Sequence, residues 1–507
     1  MICFLCWTVI AIVPERTKNV SLIAHRRAGC VGNCPNPGGW PLLFGATRAY
    51  GKYMQVSTTY PQHARAILNL GLPLVGGHLA QIAIGVTDTV MLGWYSVEAL
   101  AAVTLGSTYF FVLFIFGSGF AWAVMPMVAS YAAKDDEIGL RRSTRMGLWL
   151  SFGFGLLAMP LMIWSEPILR LIGQGDGVAR DAGAYLEIAA YGIVPALLVM
   201  VIKSYLAALE RTQVVLWVTI LAAVINAIAN YALIFGNWGA PELGIRGAAV
   251  ASIITQTVSL IGVVIYARVS LPEHALFQRL WKADWQMLLQ VFLLGWPIGL
   301  TALAEVGLFA GSAVMMGWLG TVPLAAHGIA LQLASITFMV HLGLSNVATI
   351  RAGNAHGRND PVQMGRGGKM VTFMSLGFAA ITIIIFLAAP EMLLSLFMQE
   401  DDPQRAGIMA IGVGLLAMAA LFQLVDGAQV IALGLLRGVQ DTKIPMIYAA
   451  VSYWGVGIPC SYLFGFVLGM EGIGVWLGLV VGLSVAAILL SQRFWSVTLR
   501  TLKDAQV

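Results

Sequence analysis

The chain has 507 residues, of which 59% are hydrophobic and only 10% charged, with a mean hydropathy of +0.83. A soluble domain carries about 25% charged residues, so the composition excludes a string of soluble domains and points to one polytopic membrane bundle. The net charge of +5 is spread over loops, with no basic run of the kind that binds nucleic acid.

Residues 1–60 read differently from the rest. The stretch from Met1 to Val13 is apolar but short for a span. No basic residue precedes it, as one would in a signal peptide. Cys30 and Cys34 are loosely spaced like metal ligands but lack a second pair. Met54 opens a short polar lead, and residues 1–53 are expected to be a disordered extension or an upstream mis-start. Past that point Cys460 is alone, so internal disulfides do not hold the bundle.

Twelve apolar segments follow, at 67–93, 103–130, 146–165, 184–206, 214–236, 247–267, 287–317, 324–350, 370–390, 407–433, 444–468 and 472–494. Each has about 20 residues or more, enough for a hydrocarbon core of roughly 30 Å. Pro73, Pro126, Pro195, Pro297 and Pro459 fall inside spans, where neighbouring helices re-satisfy the backbone. One set of loops and span ends holds eighteen Lys and Arg, and the opposite set holds only Arg170, Arg180, Arg246 and Arg405. The positive-inside rule puts the first set, and both ends of the bundle, in the cytoplasm.

The chain also repeats itself at an offset of 224. Leu70-Gly71-x-Pro73 matches Leu294-Gly295-x-Pro297, and Met91-x-Gly93-Trp94 matches Met315-x-Gly317-Trp318. Leu100-Ala101-Ala102 matches Leu324-Ala325-Ala326, and the loop at Lys134-Asp135-Asp136 matches Arg358-Asn359-Asp360. Six crossings return the chain to its starting side, so the halves share one orientation. That is a parallel repeat, with a substrate cavity between the halves. The expected fold is an all-α membrane protein of twelve transmembrane helices in two pseudo-symmetric six-helix lobes. The expected divisions are 61–267 for the first lobe, 268–286 for a cytoplasmic linker, 287–495 for the second lobe and 496–507 for a cytoplasmic tail.

Three acids sit well inside spans: Asp88 in the first, Glu305 in the seventh and Asp426 in the tenth. An ionised side chain at the bilayer centre costs at least ~3 kcal/mol. Three readings stabilise them: protonation, a bound metal cation, or a wet cavity that receives a cationic ligand. The plainer alternative is protonated acids that hydrogen-bond across helices. Lys203 and Arg437 lie near cytoplasmic ends, leaving no base at comparable depth. Glu305 aligns with Gln81 and Asp88 with Ser312, so the two halves keep their polar groups at different depths. Asn226 and Asn230, four apart, share one face of the fifth span. Their amides serve equally as cation ligands or as interhelical glue. Ser252 is a weaker candidate. Gln81, Gln332, Gln423 and Gln429 are expected to line the pathway or bridge helices, with Gln81 also a supporting ligand, and His78, His327 and His341 read first as neutral hydrogen-bonded histidines and second as proton relays.

No GxxxxGK[ST], HExxH or GxSxG occurs, so neither an ATP-driven pump nor an enzyme is expected, and no cofactor. At this point the residues resemble a known family, the multidrug and toxic compound extrusion (MATE) transporters of the bacterial NorM-like branch. The resemblance covers about residues 61–500. It rests on LGLPLVGGHLAQIAIGVTDTVMLG in the first span, LAEVGLFAGSAVMMGWLG in the seventh and LVDGAQVIALGLLRGVQDTKIP across the tenth. It implies a monomeric antiporter of the bacterial inner membrane, surrounded by lipid. Such a protein exports small organic cations and amphipathic drugs against Na+ or H+ by alternating access of two lobes. Asp88 looks like the family's first-helix aspartate, Asn226 and Asn230 like its fifth-span polar pair, and Glu305 and Asp426 like its second-lobe carboxylates, with Na+ as a candidate ligand there. Phe422 stands where relatives have tyrosine. The rival readings are a lipid-linked oligosaccharide flippase of the same superfamily, which calls for a basic cavity, and a non-transporting membrane sensor or scaffold.

Overall fold

A computed structural model of the chain describes residues 59–399 and 403–504. The readings for residues 1–53, including Cys30 and Cys34, lie outside the described residues. Among the described residues twelve helices are long and apolar enough to cross a membrane. They are α1 (Tyr60–Tyr95), α2 (Val97–Ala133), α3 (Glu137–Ile163), α4 (Asp176–Ala208), α5 (Thr212–Phe235), α6 (Ile245–Ser270), α7 (Trp285–Leu319), α8 (Thr321–Gly357), α9 (Pro361–Ala388), α10 (Arg405–Gly438), α11 (Lys443–Val467) and α12 (Glu471–Asp504). Each coincides with one expected span, and most overrun it. Hydropathy ends with the hydrocarbon, whereas a helix runs on until a side chain satisfies its free backbone groups. Thus α3 starts at Glu137 because Asp136 Oδ1 accepts from the Gly139 N–H at 2.8 Å. Likewise α12 continues to Asp504, into the stretch read as a tail. Two short helices, Ser165–Leu171 and Pro390–Ser395, follow α3 and α9 at equivalent places.

The repeat extends to backbone geometry. Asp135 and Asn359 both take positive φ, at 56° and 51°, and so do Glu210 and Gln440, at 61° and 62°. Asp136 caps α3, and Asp360 caps α9 through the Gln363 N–H at 2.9 Å. The lobes also share their packing. In the first, α2 and α3 lie on α4, α4 on α6, and α1 on α5; in the second, α8 and α9 lie on α10, and α10 on α12. In a lipid setting such contacts are held by close approach and interhelical hydrogen bonds, not by apolar burial. Ser345 Oγ donates to the Val430 carbonyl at 2.7 Å and Thr349 Oγ1 to that of Gly434 at 2.9 Å, tying α8 to α10.

Between lobes, α2 meets α7 and α8, and α1 meets α8. Exchanging α1 with α7 and α2 with α8 leaves that pattern unchanged, as a pseudo-two-fold requires. The described cross-lobe contacts fall on one half of these helices, near the ends where the lobes are joined. A side chain at Gly119 of α2 would lie 2.5 Å from the Gly295 carbonyl oxygen, and one at Gly299 of α7 would lie 2.4 Å from that of Phe116. Glycine there lets two backbones touch. From Gly117 to Ser130 almost every residue of α2 is buried. In the other half, Gly85 of α1 and Gly328 of α8 both face open space. The named contacts between the lobes therefore close the face where α1 begins and α12 ends.

The connection from α6 to α7 is pinned to the first lobe. Arg142 of α3 pairs with Asp284, Arg145 donates to the carbonyls of Ala275 and Leu276 at 2.9 Å each, and Trp149 Nε1 donates to that of Leu280 at 2.7 Å. Arg142 holds the Asp284 carboxyl below its ordinary value of 3.8. The pair's contribution is therefore full above pH about 4 and fades only as the pH falls through the lowered value. Asp284→Ala should speed tryptic cleavage at Arg279 and Lys282 several-fold at pH 8. An unchanged digestion time course, read by gel and mass spectrometry, would count against this clamp.

Candidate functional site

The buried acids belong to two separate polar sets, one per lobe. In the first lobe α1 and α5 run side by side, with Leu216 of α5 against Gly76 and Gly77 of α1. Further along that seam Asn230 Nδ2 donates to Asp88 Oδ1 at 2.5 Å and to Asn226 Oδ1 at 3.2 Å. Both asparagines are fully buried, and Asn230 Oδ1 has no hydrogen-bond partner. The carboxylate and the two amides named from the sequence are thus one unit. Tyr185 of α4 lies within electrostatic reach of Asp88 and approaches Ser107 and Ser252, so Ser252 joins the set at one remove. Gln81 stays outside it. It is two turns from Asp88 on the same side of α1 and exposed, about 10 Å away along the axis.

In the second lobe Glu305 projects from the middle of α7. Its Oε1 accepts from Gln429 Nε2 of α10 at 3.2 Å, and Gln429 Oε1 accepts from the Tyr453 hydroxyl of α11 at 3.1 Å. Asp426, one turn before Gln429 and 1% exposed, lies within electrostatic reach of Glu305. Its Oδ1 has no hydrogen-bond partner. Another turn back, Gln423 donates to the Ala334 carbonyl at 3.0 Å and leaves Oε1 unpaired. The i, i+3, i+6 spacing of 423, 426 and 429 keeps all three on one face of α10. Carboxylate, amide and phenol oxygens suit a proton or a hard cation such as Na+. Among the described residues no three His, Cys, Asp or Glu come together.

Tyr453 was not legible in the sequence. Residues Val451–Gly457 of α11 form a wide π-helical turn, and Tyr453 sits in it fully buried. Pro459 cannot donate back to the preceding turn, and a π segment absorbs the disturbed ladder while turning its residues onto a new face. Phe422, standing where a tyrosine was expected, does not aim a ring edge at bulk polar space. It packs edge-on against Phe309 and Trp476, with centroids 5.9 and 5.7 Å away, a setting in which a hydroxyl would need its own partner. The phenol of this set comes from α11 instead.

Two bases reach deeper than their positions suggest. Arg437, near the end of α10, lies over the Trp122 ring of α2 at 5.9 Å and within electrostatic reach of Glu305. Lys203, near the end of α4, extends its Nζ to Thr219 Oγ1 of α5 at 2.8 Å, a point seven residues, or about 10 Å, into that helix. The long alkyl stems carry both charges inward. The histidines are bonded as expected of neutral rings: His327 accepts from Trp476 Nε1, His341 meets Ser375, and His78 meets Asn346.

A twelve-helix bundle of two parallel repeats, with a set of buried acids in each lobe, has the build of a secondary transporter. The MatE family model matches twice, at residues 73–232 and 297–463, once in each half of the repeat. A probable multidrug resistance protein NorM of Agrobacterium fabrum is 44% identical over 89% of this chain and 97% of its own length. One of Rhizobium meliloti is 46% identical over 87% of this chain and 95% of its own. The fold also superposes on a MOP superfamily transporter from Pyrococcus furiosus (TM-score 0.77, 18% identity, 87% of this chain and 97% of that one). A multidrug resistance MATE family transporter in an outward-facing conformation superposes with TM-score 0.79 at 18% identity, over 87% and 97% of the two chains. The chain belongs to the MatE family, which is a family of transporters and not of enzymes.

Tyr453→Phe should leave Gln429 Oε1 without its donor and lower stability by about 1–2 kcal/mol, with the fold intact. Thermal unfolding in detergent checks this, and an unchanged midpoint would remove Tyr453 from the set.

Proposed function

We propose that the protein is a cation-coupled antiporter that exports organic cations and amphipathic drugs, working as a monomer. The observation that carries this reading is the second-lobe set. Asp426 offers an unpartnered carboxylate oxygen beside Glu305, in the interior of a bundle where an ionised group is costly without a partner. An arriving H+ or Na+ satisfies that oxygen. The names of the NorM relatives, multidrug resistance proteins, support the substrate class.

The excess of Lys and Arg on the face carrying the chain ends makes that face cytoplasmic. The described arrangement, closed there, is then the outward-open one. In the proposed cycle the coupling ion reaches Glu305 and Asp426 from outside and neutralises the pair. Loss of that charge weakens the hold on a cationic drug and favours exchange to the inward-open arrangement. The ion must bind the two arrangements with different affinity to shift them. Asp88, backed by Asn226 and Asn230, gives the first lobe a second place where a cation exchanges for charge.

Three outcomes are expected. Glu305→Gln and Asp426→Asn should each bring ethidium efflux to the level of cells without the protein, at unchanged expression. Efflux at the wild-type rate in either variant would falsify the coupling role. A Val75→Cys, Gly343→Cys pair in a cysteine-free background should cross-link on oxidation, because a side chain at Gly343 meets Val75 Cγ2 at 2.5 Å. Efflux should stop on oxidation and return with reductant, and full transport by the cross-linked protein would rule out alternating access. Finally, efflux measured at fixed pH with Na+ or with choline separates the ions. A requirement for Na+ makes the second-lobe oxygens a metal site, and collapse by a protonophore alone makes them proton carriers.

A further inference from the structure

The two acidic sets make no use of His63. It stands in the opening turn of α1, four residues before the first apolar segment, and is fully buried. Arg351 of α8 reaches it across the boundary between the lobes, with Nη2 at 3.1 Å from His63 Nδ1. A guanidinium has only N–H groups to offer, so Nδ1 is the acceptor and carries no proton. The contact therefore requires a neutral imidazole. A doubly protonated ring would set N–H against N–H and charge against charge.

The surroundings do not offset that added charge. On α9 the ring lies against Gly367, where a Cβ would stand 3.5 Å from Nδ1, and the flanking Arg366 and Lys369 are exposed. Arg65 of α1 is exposed as well. At this face α2, α5 and α6, the other helices packed on α1, carry Lys134 and Asp135, Arg211, and Arg268 at their ends. Among the described residues Glu210, in the turn between α4 and α5, is the carboxylate that acts on Arg351, and it is shared with Arg358.

The guanidinium also has a second place to go. Arg351 lines a cavity of about 10 Å³ between α8, α9 and α10, room for a single water. Gln363 of α9 lines the same cavity. It is 8% exposed, and its Oε1 is buried with no hydrogen-bond partner. That oxygen belongs to the second lobe, as Arg351 does. The hydrogen bond can thus pass from an acceptor across the boundary to one on its own side, directly or through the water.

We propose that His63, Arg351 and Gln363 form a proton-operated latch on the face where the lobes close. With His63 neutral, Arg351 bonds across to the first lobe and the face stays shut. With His63 protonated, Arg351 turns to Gln363 and the lobes are released. The latch rests on the export reading only for its direction: that reading makes this face cytoplasmic, so acid in the cytoplasm favours the inward-open arrangement. The closed arrangement takes up no proton at Nδ1 and the open one does, so falling pH favours opening. A histidine in water titrates at about 6.5, and a fall from pH 7.5 to 5.5 then raises the open-to-closed ratio about tenfold.

The test places spin labels on cysteines at Ile138 and Val362, one per lobe, exposed and equivalent in the repeat. Ile138→Cys and Val362→Cys are made in cysteine-free, full-length protein that also carries Glu305→Gln and Asp426→Asn, which removes the titration of the second-lobe acids. Electron–electron distance measurements in lipid nanodiscs then read the open and closed populations at pH 7.5 and 5.5. The longer distance should gain about tenfold over the shorter one. His63→Gln keeps an acceptor that does not titrate, so it should match the parent at pH 7.5 and abolish the gain. Gln363→Leu should leave the populations at pH 7.5 unchanged and cut the gain several-fold. No gain in the parent, or an equal gain in His63→Gln, would overturn the latch. If His63→Gln does not fold, an undiminished gain in Gln363→Leu overturns it. The export reading stands or falls separately, on ethidium efflux by protein with Glu305 and Asp426 intact.

Discussion

Everything in this bundle is arranged around the cost of a charge in hydrocarbon. A polar atom there has no water to turn to, so each is either bonded by a neighbour or left open for something that arrives. Most are bonded. Serines and threonines return their hydroxyls to carbonyls of the previous turn or of the adjoining helix, and histidines find an indole, a hydroxyl or an amide. The exceptions are spread through the bundle, Ser151, Ser452, Asn354 and Gln363 among them, and each acidic set holds some: Asp426 Oδ1 and Gln423 Oε1 in the second lobe, Asn230 Oδ1 and Asn226 Nδ2 in the first. An unpaired oxygen beside a buried acid is a place where an arriving proton or cation finds a partner.

The repeat supplies the scaffold and the departures from it supply the sites. Caps, turns and inter-lobe seams recur in both halves. The polar groups do not. Ser312, which aligns with Asp88, spends its hydroxyl on the Phe309 carbonyl of its own helix at 2.8 Å. The first lobe builds its acidic set from α1 and α5, and the second from α7, α10 and α11. One repeated scaffold thus carries two chemically different polar sets.

The fold was legible because apolar length and loop charge are dictated by the bilayer, and the repeat could be read by eye from a few aligned residues. The first-lobe set was legible too, since an acid on α1 and two amides four apart on α5 needed only the two helices to be neighbours. Tyr453 was hidden because its direction depends on a π turn, and helical periodicity assumes 3.6 residues per turn. Gln429 was one amide among several, and nothing in its spacing distinguished it until α7 placed Glu305 against it. Lys203 and Arg437 were placed by their backbones at the membrane edge, while the charges sit at the far ends of long stems. Phe422 was read for the hydroxyl it lacks, and its packing between two rings explains why none is needed there.

Asp284 belongs to both halves of the molecule. Its carboxylate pairs with Arg142 of the first lobe and also accepts from the Met287 N–H in the opening turn of α7, at 3.2 Å. Beside it α3 packs on α7, and on the opposite seam α9 packs on α1 while Arg351 of α8 meets His63 of α1 at 3.1 Å. The lobes are therefore fastened at both corners of the face where they close. A body held at two opposite corners cannot swing about either one, so in the proposed cycle both fastenings would have to release before that face opened.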